Sequence, residues 1–296
     1  MSATVEIQLV IAATGMACSI LGTFLLLRRM TMLTDAITHA VLPGIVIGFL
    51  LTHDLASPWL IVGATAAGLL TVWLVELLFS SGNLKQDAAI GLVFPALFAV
   101  GVLLITMYAS DVHLDIDAVL TGEPALLPFD RLAIAGLDLG PRALWPVLGS
   151  LLVNAALVLL CAHPLRLTTF DPQLAAVMGL APGVLTYLLM GATAVTAVAA
   201  FDAVGSVLVV ALFTAPAATA WLLSDRLVVV QVLATGIAVL ASVLGVQTAI
   251  WFDVSIAGMV AAACGVLFGV AVLLAPQRGA IPRALRFRRA RLQAGV

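Results

Sequence analysis

An all-α polytopic membrane protein of about nine transmembrane helices is the architecture that the sequence predicts, on three observations. Hydrophobic residues make up 63% of the 296 positions and charged residues only 9%, and the mean hydropathy of +1.22 lies far above that of a soluble domain. Apolar runs recur at the length needed to cross hydrocarbon, roughly 20 residues at about 1.5 Å each. The basic residues gather in alternate breaks between those runs.

The first run, 5–27, is followed by Arg28 and Arg29 rather than preceded by positive charge, so it reads as a retained helix and not as a cleaved signal peptide. Runs at 36–52, 57–79 and 88–108 come next, then a long connection, 109–142. That connection is acidic, with Asp111, Asp115, Asp117, Glu123, Asp130 and Asp138 against Arg131 and Arg142. It reads either as a solvated loop or as a surface that raises the local cation concentration. After the run 144–162 and the connection 163–182, two shorter runs rich in Gly, Ala and Val, 183–200 and 203–223, meet at Phe201-Asp202. They read as two tightly packed spans or as one span with a re-entrant piece, which would make eight spans. Runs 227–249 and 254–275 complete a single transmembrane domain, 1–276, and the basic tail 277–296 reads as an anchor against anionic lipid.

With the N-terminus outside, 11 of the 13 basic residues become cytoplasmic, leaving only Arg131 and Arg142 outside, and the C-terminus lies in the cytoplasm. The opposite orientation would leave two inside.

Several kinds of machine are excluded. No G-x-x-x-x-G-K-[ST] phosphate loop occurs, so ATP hydrolysis by that route must come from another chain, and there is no Gly-x-Ser-x-Gly elbow or His-Glu-x-x-His zinc motif. The chain therefore reads as no enzyme in its own right. Cys18, Cys161 and Cys264 sit in apolar stretches without metal-ligand spacing and read as small core residues. The ionisable groups read within the apolar runs are Asp35, His39 and Glu76, too few for a proton-coupled relay.

Two segments carry chemistry. Asp35 and His39 stand at i and i+4, on one helix face one turn apart, and a carboxylate with an imidazole suits Mn²⁺, Fe²⁺ or Zn²⁺ better than Mg²⁺ or Ca²⁺. Thr38 lies between them as a further oxygen, and Pro43-Gly44 is placed to kink the helix and free a carbonyl towards a water-filled path. The local alternative makes Thr34 a helix cap, Asp35 a partner of the helix dipole and His39 a hydrogen-bonding residue between helices. In the second segment Asp171 is a good N-cap, Pro172 suits the first helical position and Gly179 a C-terminal stop, which predicts a short helix of about two turns within 170–180, outside the membrane. It reads as a lever or as a structured loop.

Taken together, the stretch 27–44 ending Asp35-Ala-Ile-Thr-His39-Ala-Val-Leu-Pro43-Gly44, the segment Phe170-Asp171…Ala175…Met178-Gly179, and Val204-Gly205-Ser206-Val207-Leu208 leading to Pro216-Ala-Ala-Thr219-Ala220 resemble the membrane permeases of bacterial manganese, zinc and iron ABC importers. The resemblance covers nearly the whole chain. It implies a type II ABC importer-like bundle in the bacterial cytoplasmic membrane, with a second permease copy, cytoplasmic ABC ATPase subunits and an extracellular metal-binding protein as partners and no nucleic acid. It also implies that Asp35 and His39 line the ion path, with manganese the favoured cargo and zinc and iron the alternatives. No permanently bound cofactor is expected, the metal being cargo. Phe170, Asp171, Ala175 and Gly179 would belong to the coupling helix that sits in an ATPase cleft, and Gly205 and Pro216, with Pro43 and Gly44, to the pore and its gating. The family has Gly where this chain has Thr34, which leaves less backbone freedom before Asp35. Two other classes stand beside this reading: a carrier or channel that works without an ATPase, and a membrane scaffold or receptor.

Overall fold

A computed structural model of the chain describes residues 2–53, 57–82, 84–108, 124–134, 137–276 and 278–282. The helices are α1 (Ala3–Leu27), α2 (Met32–Ala40), α3 (Leu42–Thr52), α4 (Pro58–Ser80), α5 (Gln86–Tyr108), α6 (Leu144–Leu160), α7 (Ala162–Phe170), α8 (Pro172–Val177), α9 (Pro182–Val204), α10 (Ser206–Leu223), α11 (Leu227–Phe252) and α12 (Ile256–Leu274). A hairpin of β1 (Arg131–Ile134) and β2 (Leu137–Pro141) lies between α5 and α6. Among the described residues, eight helical stretches are long and apolar enough to cross a membrane when α2 and α3 count together as 32–52, and the pair α6–α7, bent by 75°, makes a ninth.

Every apolar run read from the sequence thus becomes helix, but three breaks fall differently. The helix does not stop at Phe201-Asp202; α9 continues to Val204 and the chain breaks at Gly205, whose φ of 79° and ψ of 165° belong to a region open essentially to glycine alone. Both sides of that break are long and apolar enough to span. The connection 163–182 is mostly helical, so Phe170 ends α7 rather than starting the short helix, and α8 is confined to Pro172–Val177. The connection 109–142 carries the antiparallel hairpin, with Ile134 opposite Leu137. Asp111, Asp115, Asp117 and Glu123 lie outside the described residues, as do the tail arginines from Arg283 onward.

At the centre stands α1, packed against α6, α9, α10 and α11. In hydrocarbon an amide or hydroxyl without a partner costs roughly 2–7 kcal/mol, so the polar side chains of a buried span have to find acceptors. Here several find them on α1: Asn154 donates to the Ala17 carbonyl at 3.1 Å, Gln231 to that of Ile20 at 3.1 Å and Ser242 to that of Ile11 at 3.4 Å. Thr14, Thr23, Thr71, Thr193 and Thr219 instead donate to carbonyls four residues back in their own helices. Gly22 brings α1 onto α10 so closely that a Cβ there would lie 2.0 Å from the Phe213 carbonyl oxygen. Pro216, one turn further along α10, is buried.

A second group, α2 to α5, forms a corner beside this core, joined to it through contacts of α2 and α4 with α9. Large apolar residues such as Leu152, Leu159, Leu160 and Val232 are exposed around the bundle, the surface expected of a protein solvated by lipid.

Candidate metal site and coupling segment

The nine residues of α2 divide into two sides. Leu33, Ala36, Ile37 and Ala40 are fully buried, with Thr34 and Thr38, whereas Met32 and Asp35 are open and His39 is partly so. Because i and i+4 lie one above the other on a helix, Asp35 and His39 meet: His39 Nε2 lies 3.4 Å from Asp35 Oδ1, with 26% of the imidazole and 47% of the carboxylate side chain accessible. That separation is longer than a good hydrogen bond and leaves both groups free to turn to a third body. The imidazole is oriented by α5, tilted over Phe94 at 5.6 Å between ring centres and edge-on to Phe98 at 6.3 Å.

Thr34 donates to the Thr31 carbonyl at 2.7 Å within a helical turn, so the threonine in place of the family's glycine is accommodated by a regular helix start. Thr38 is buried and donates to the Asp35 carbonyl at 2.9 Å. No group of three or more His, Cys, Asp and Glu that could hold a metal is found among the described residues. Among the described His, Cys, Asp and Glu side chains the pair therefore stands as two potential ligands.

The chain breaks between α2 and α3 at Val41, and Pro43 in the first turn of α3 has no N–H to give the His39 carbonyl four residues back. The interruption is slight: Val41 keeps helical angles, φ −73° and ψ −18°, and 32–52 counts as one span. Gly44 is a point of contact: a Cβ there would lie 2.1 Å from the Gly63 carbonyl oxygen, while one on Gly63 would lie 2.2 Å from that of Gly44. Gly101 of α5 presses on the Pro43 ring in the same way, at 3.0 Å. Gly205 and Pro216 lie apart from these, at the start and inside of α10.

In the second segment each cap predicted from the sequence forms. Asp171 Oδ1 accepts the Leu174 amide at 2.9 Å, and Pro172 opens α8. At the other end Gly179, with φ 80°, donates to the Ala176 carbonyl and Leu180 to that of Ala175, the paired bonds of a Schellman stop. Ala175 is buried against the bundle, whereas Phe170, Leu174, Val177 and Met178 are exposed, Val177 by 85%. The result is a short capped helix with a small residue beneath and an apolar surface above.

Two further contacts could not be read from the sequence. Glu6, buried at the start of α1, pairs with Arg131 of the hairpin at 3.1 Å, and Asp138 holds the same guanidinium at 2.7 Å. These bonds, and one from the Gly140 amide, keep the Asp138 carboxyl below the usual carboxylate range. At the opposite end of α1, Arg28 donates to the hydroxyls of Thr168 and Thr169, in the last turn of α7, and of Thr186, in the first turn of α9. Alternating charge and hydroxyl content along the chain gives no sign of either.

The profile of the ABC 3 transport family matches residues 2–275. The manganese transport system membrane protein MntD of Bacillus subtilis (strain 168) is 45% identical over 272 residues, 92% of each chain. The zinc transport system membrane protein TroD of Treponema pallidum (strain Nichols) is 45% identical over 294 residues, 99% of this chain and 80% of that one. Among solved structures, a chain of PsaBC from Streptococcus pneumoniae in complex with Fab has a TM-score of 0.78 at 27% identity, covering 97% of this chain and 96% of that chain.

Proposed function

This chain belongs to the ABC 3 transport family, and from that premise we propose that it is the multi-pass permease subunit of an ATP-driven importer that carries Mn²⁺, or secondarily Zn²⁺, across a bacterial cytoplasmic membrane. The relatives named for manganese and zinc support the cargo. The observation that carries the proposal is the open carboxylate–imidazole pair, Asp35 and His39, held 3.4 Å apart on a helix that breaks one turn later.

The distribution of basic residues supports an N-terminus outside and a cytoplasmic C-terminus, which puts α8 in the cytoplasm. There the exposed Leu174 and Val177 of α8, with Phe170 before it and Met178 after it, offer an apolar grip to an ATPase subunit. Two ligands per chain leave room for a second permease copy to supply two more, and an extracellular binding protein would deliver the ion. Closure of the ATPases moves α8, and the bundle alternates between outward and inward openings while the pair holds a partly hydrated cation. Weak holding is required, since an ion bound by a full shell of protein ligands would not leave.

Reconstitution with the partner ATPase and binding protein in liposomes tests this directly. ATP-dependent Mn²⁺ accumulation exceeding that of Zn²⁺ and Fe²⁺ is expected. Uptake by the chain alone, without ATP, would instead identify a carrier or channel, and no uptake of any of the three ions would remove the importer reading.

The lever role of α8 makes a separate prediction. Asp171→Ala removes an N-cap worth about 1 kcal/mol, and Gly179→Ala places a side chain in the left-handed region at a similar cost. Both variants should assemble but carry fewer ions per ATP hydrolysed. An unchanged ratio in both would take α8 out of the coupling pathway.

A further inference from the structure

We propose that Arg28 is the positioning residue through which the lever drives the metal-bearing helix, an inference that rests on the roles just assigned to α8 and to the Asp35–His39 pair. Its guanidinium reaches Thr169 through Nε at 3.1 Å, Thr168 through one terminal nitrogen at 2.8 Å and Thr186 through the other at 2.7 Å. Thr168 and Thr169 are separated from the Asp171 cap of α8 only by Phe170, and Thr186 lies seven positions after its Gly179 stop. One side chain thus holds both flanks of the lever.

The acceptors are fixed in direction. Thr168 donates its own proton to the Pro164 carbonyl at 2.8 Å, Thr169 to that of Leu165 at 2.6 Å and Thr186 to that of Pro182 at 2.9 Å, so each turns an oxygen lone pair to Arg28. These partners are neutral. A carboxylate would lock the guanidinium by charge, whereas hydroxyls set by their own helices hold it by geometry, and a small displacement of α7 against α9 changes how many of them it can reach at once.

On its other side Arg28 is tied rigidly to α2. It caps α1, and the turn that follows is closed by bonds from Arg29 to the Leu26 carbonyl at 3.0 Å and from Met30 to that of Leu25 at 2.8 Å. Arg29 sits at φ 60°, and the next bonds, Leu33 to Met30 and Thr34 to Thr31, already begin α2. Met30, Leu33 and Thr34 are buried, so the turn has little freedom to absorb a pull. Movement of the lever is delivered to Asp35 through the hydrogen-bonded turn 29–31 and the first turn of α2.

The test uses the full complex in liposomes and reads metal ions taken up per ATP hydrolysed, alongside the thermal midpoint of the assembled complex. Arg28→Gln should lower the ratio at least tenfold while hydrolysis continues; Arg28→Lys, with its charge on one nitrogen, should fall between. Thr168→Val with Thr186→Val keeps side-chain volume while removing two acceptors, and it should lower the ratio with Arg28 intact, which also decides the matter if Arg28→Gln does not assemble. A lowered midpoint with the wild-type ratio in these variants would make Arg28 a stabilising residue only and overturn the proposal. Absence of uptake by the wild-type complex would instead strike the importer reading on which it rests.

Discussion

Replacing Asp35 by Asn is expected to abolish ATP-dependent metal uptake while leaving a folded, assembled permease. The side chain keeps its size and α2 keeps its buried face of Leu33, Ala36, Ile37 and Ala40, so nothing in the packing of the helix changes. What changes is the ligand: an amide oxygen carries no charge, so the open pair would lose all of its negative charge and one of its two carboxylate oxygens. Removing even an outer partner of a metal ligand typically costs roughly 10–100-fold in affinity or activity, so loss of the ligand itself should lower uptake by at least about 100-fold. Radioactive Mn²⁺ accumulation in liposomes measures this, with thermal unfolding of the purified complex as the control for folding. Normal uptake by the variant would move the ion path away from α2.

The second large effect is structural. Gly44→Ala should destabilise the α2 to α5 corner, because the added Cβ would lie 2.1 Å from the Gly63 carbonyl oxygen and 2.7 Å from the Ala67 side chain. Neither neighbour is the end of a flexible chain, so α3 and α4 would have to separate. Overpacking of this kind typically costs about 1–3 kcal/mol, and a backbone clash belongs at the upper end. A fall in the thermal midpoint of several degrees and a lower yield of purified protein are expected. Gly236→Ala is the matched control: nothing stands within 4 Å of where its Cβ would go, so its midpoint should be unchanged or slightly higher. Equal stability of the two variants would mean that the close crossing at Gly44 is not a constraint.

Local chemistry was legible in the sequence. Asp171, Pro172 and Gly179 act within a few residues of themselves, and their caps formed as read; the i, i+4 spacing of Asp35 and His39 needed only a helix to bring them together. The spans were legible because apolar length is set by the bilayer and not by any partner. Where the reading failed, the deciding contact was distant or the signal was ambiguous. Asp202 looked like a break because a charge interrupts an apolar run, yet a helix tolerates one acidic residue, and it was the glycine three positions on that took the left-handed conformation. The 75° bend after Leu160 has its signal in Pro164, which has no N–H to give the Leu160 carbonyl, but that proline was read only as part of the connection 163–182. Arg28 looked like a charge flanking the first run and Glu6, inside that run, carried no reading, since their partners lie more than 120 residues away along the chain.

The apolar surface of α8 bears on how much of this protein a cell can hold. Leu174 and Val177 of this capped helix, with Phe170 and Met178 at its flanks, are exposed in the chain by itself, so the patch does not depend on binding to appear. A newly inserted permease without its partner would show that patch to the cytosol, where exposed apolar surface is what chaperones and proteases recognise. On the role proposed for α8, copies made without an ATPase should be cleared faster than assembled ones, which pulse-chase turnover with and without that subunit would measure.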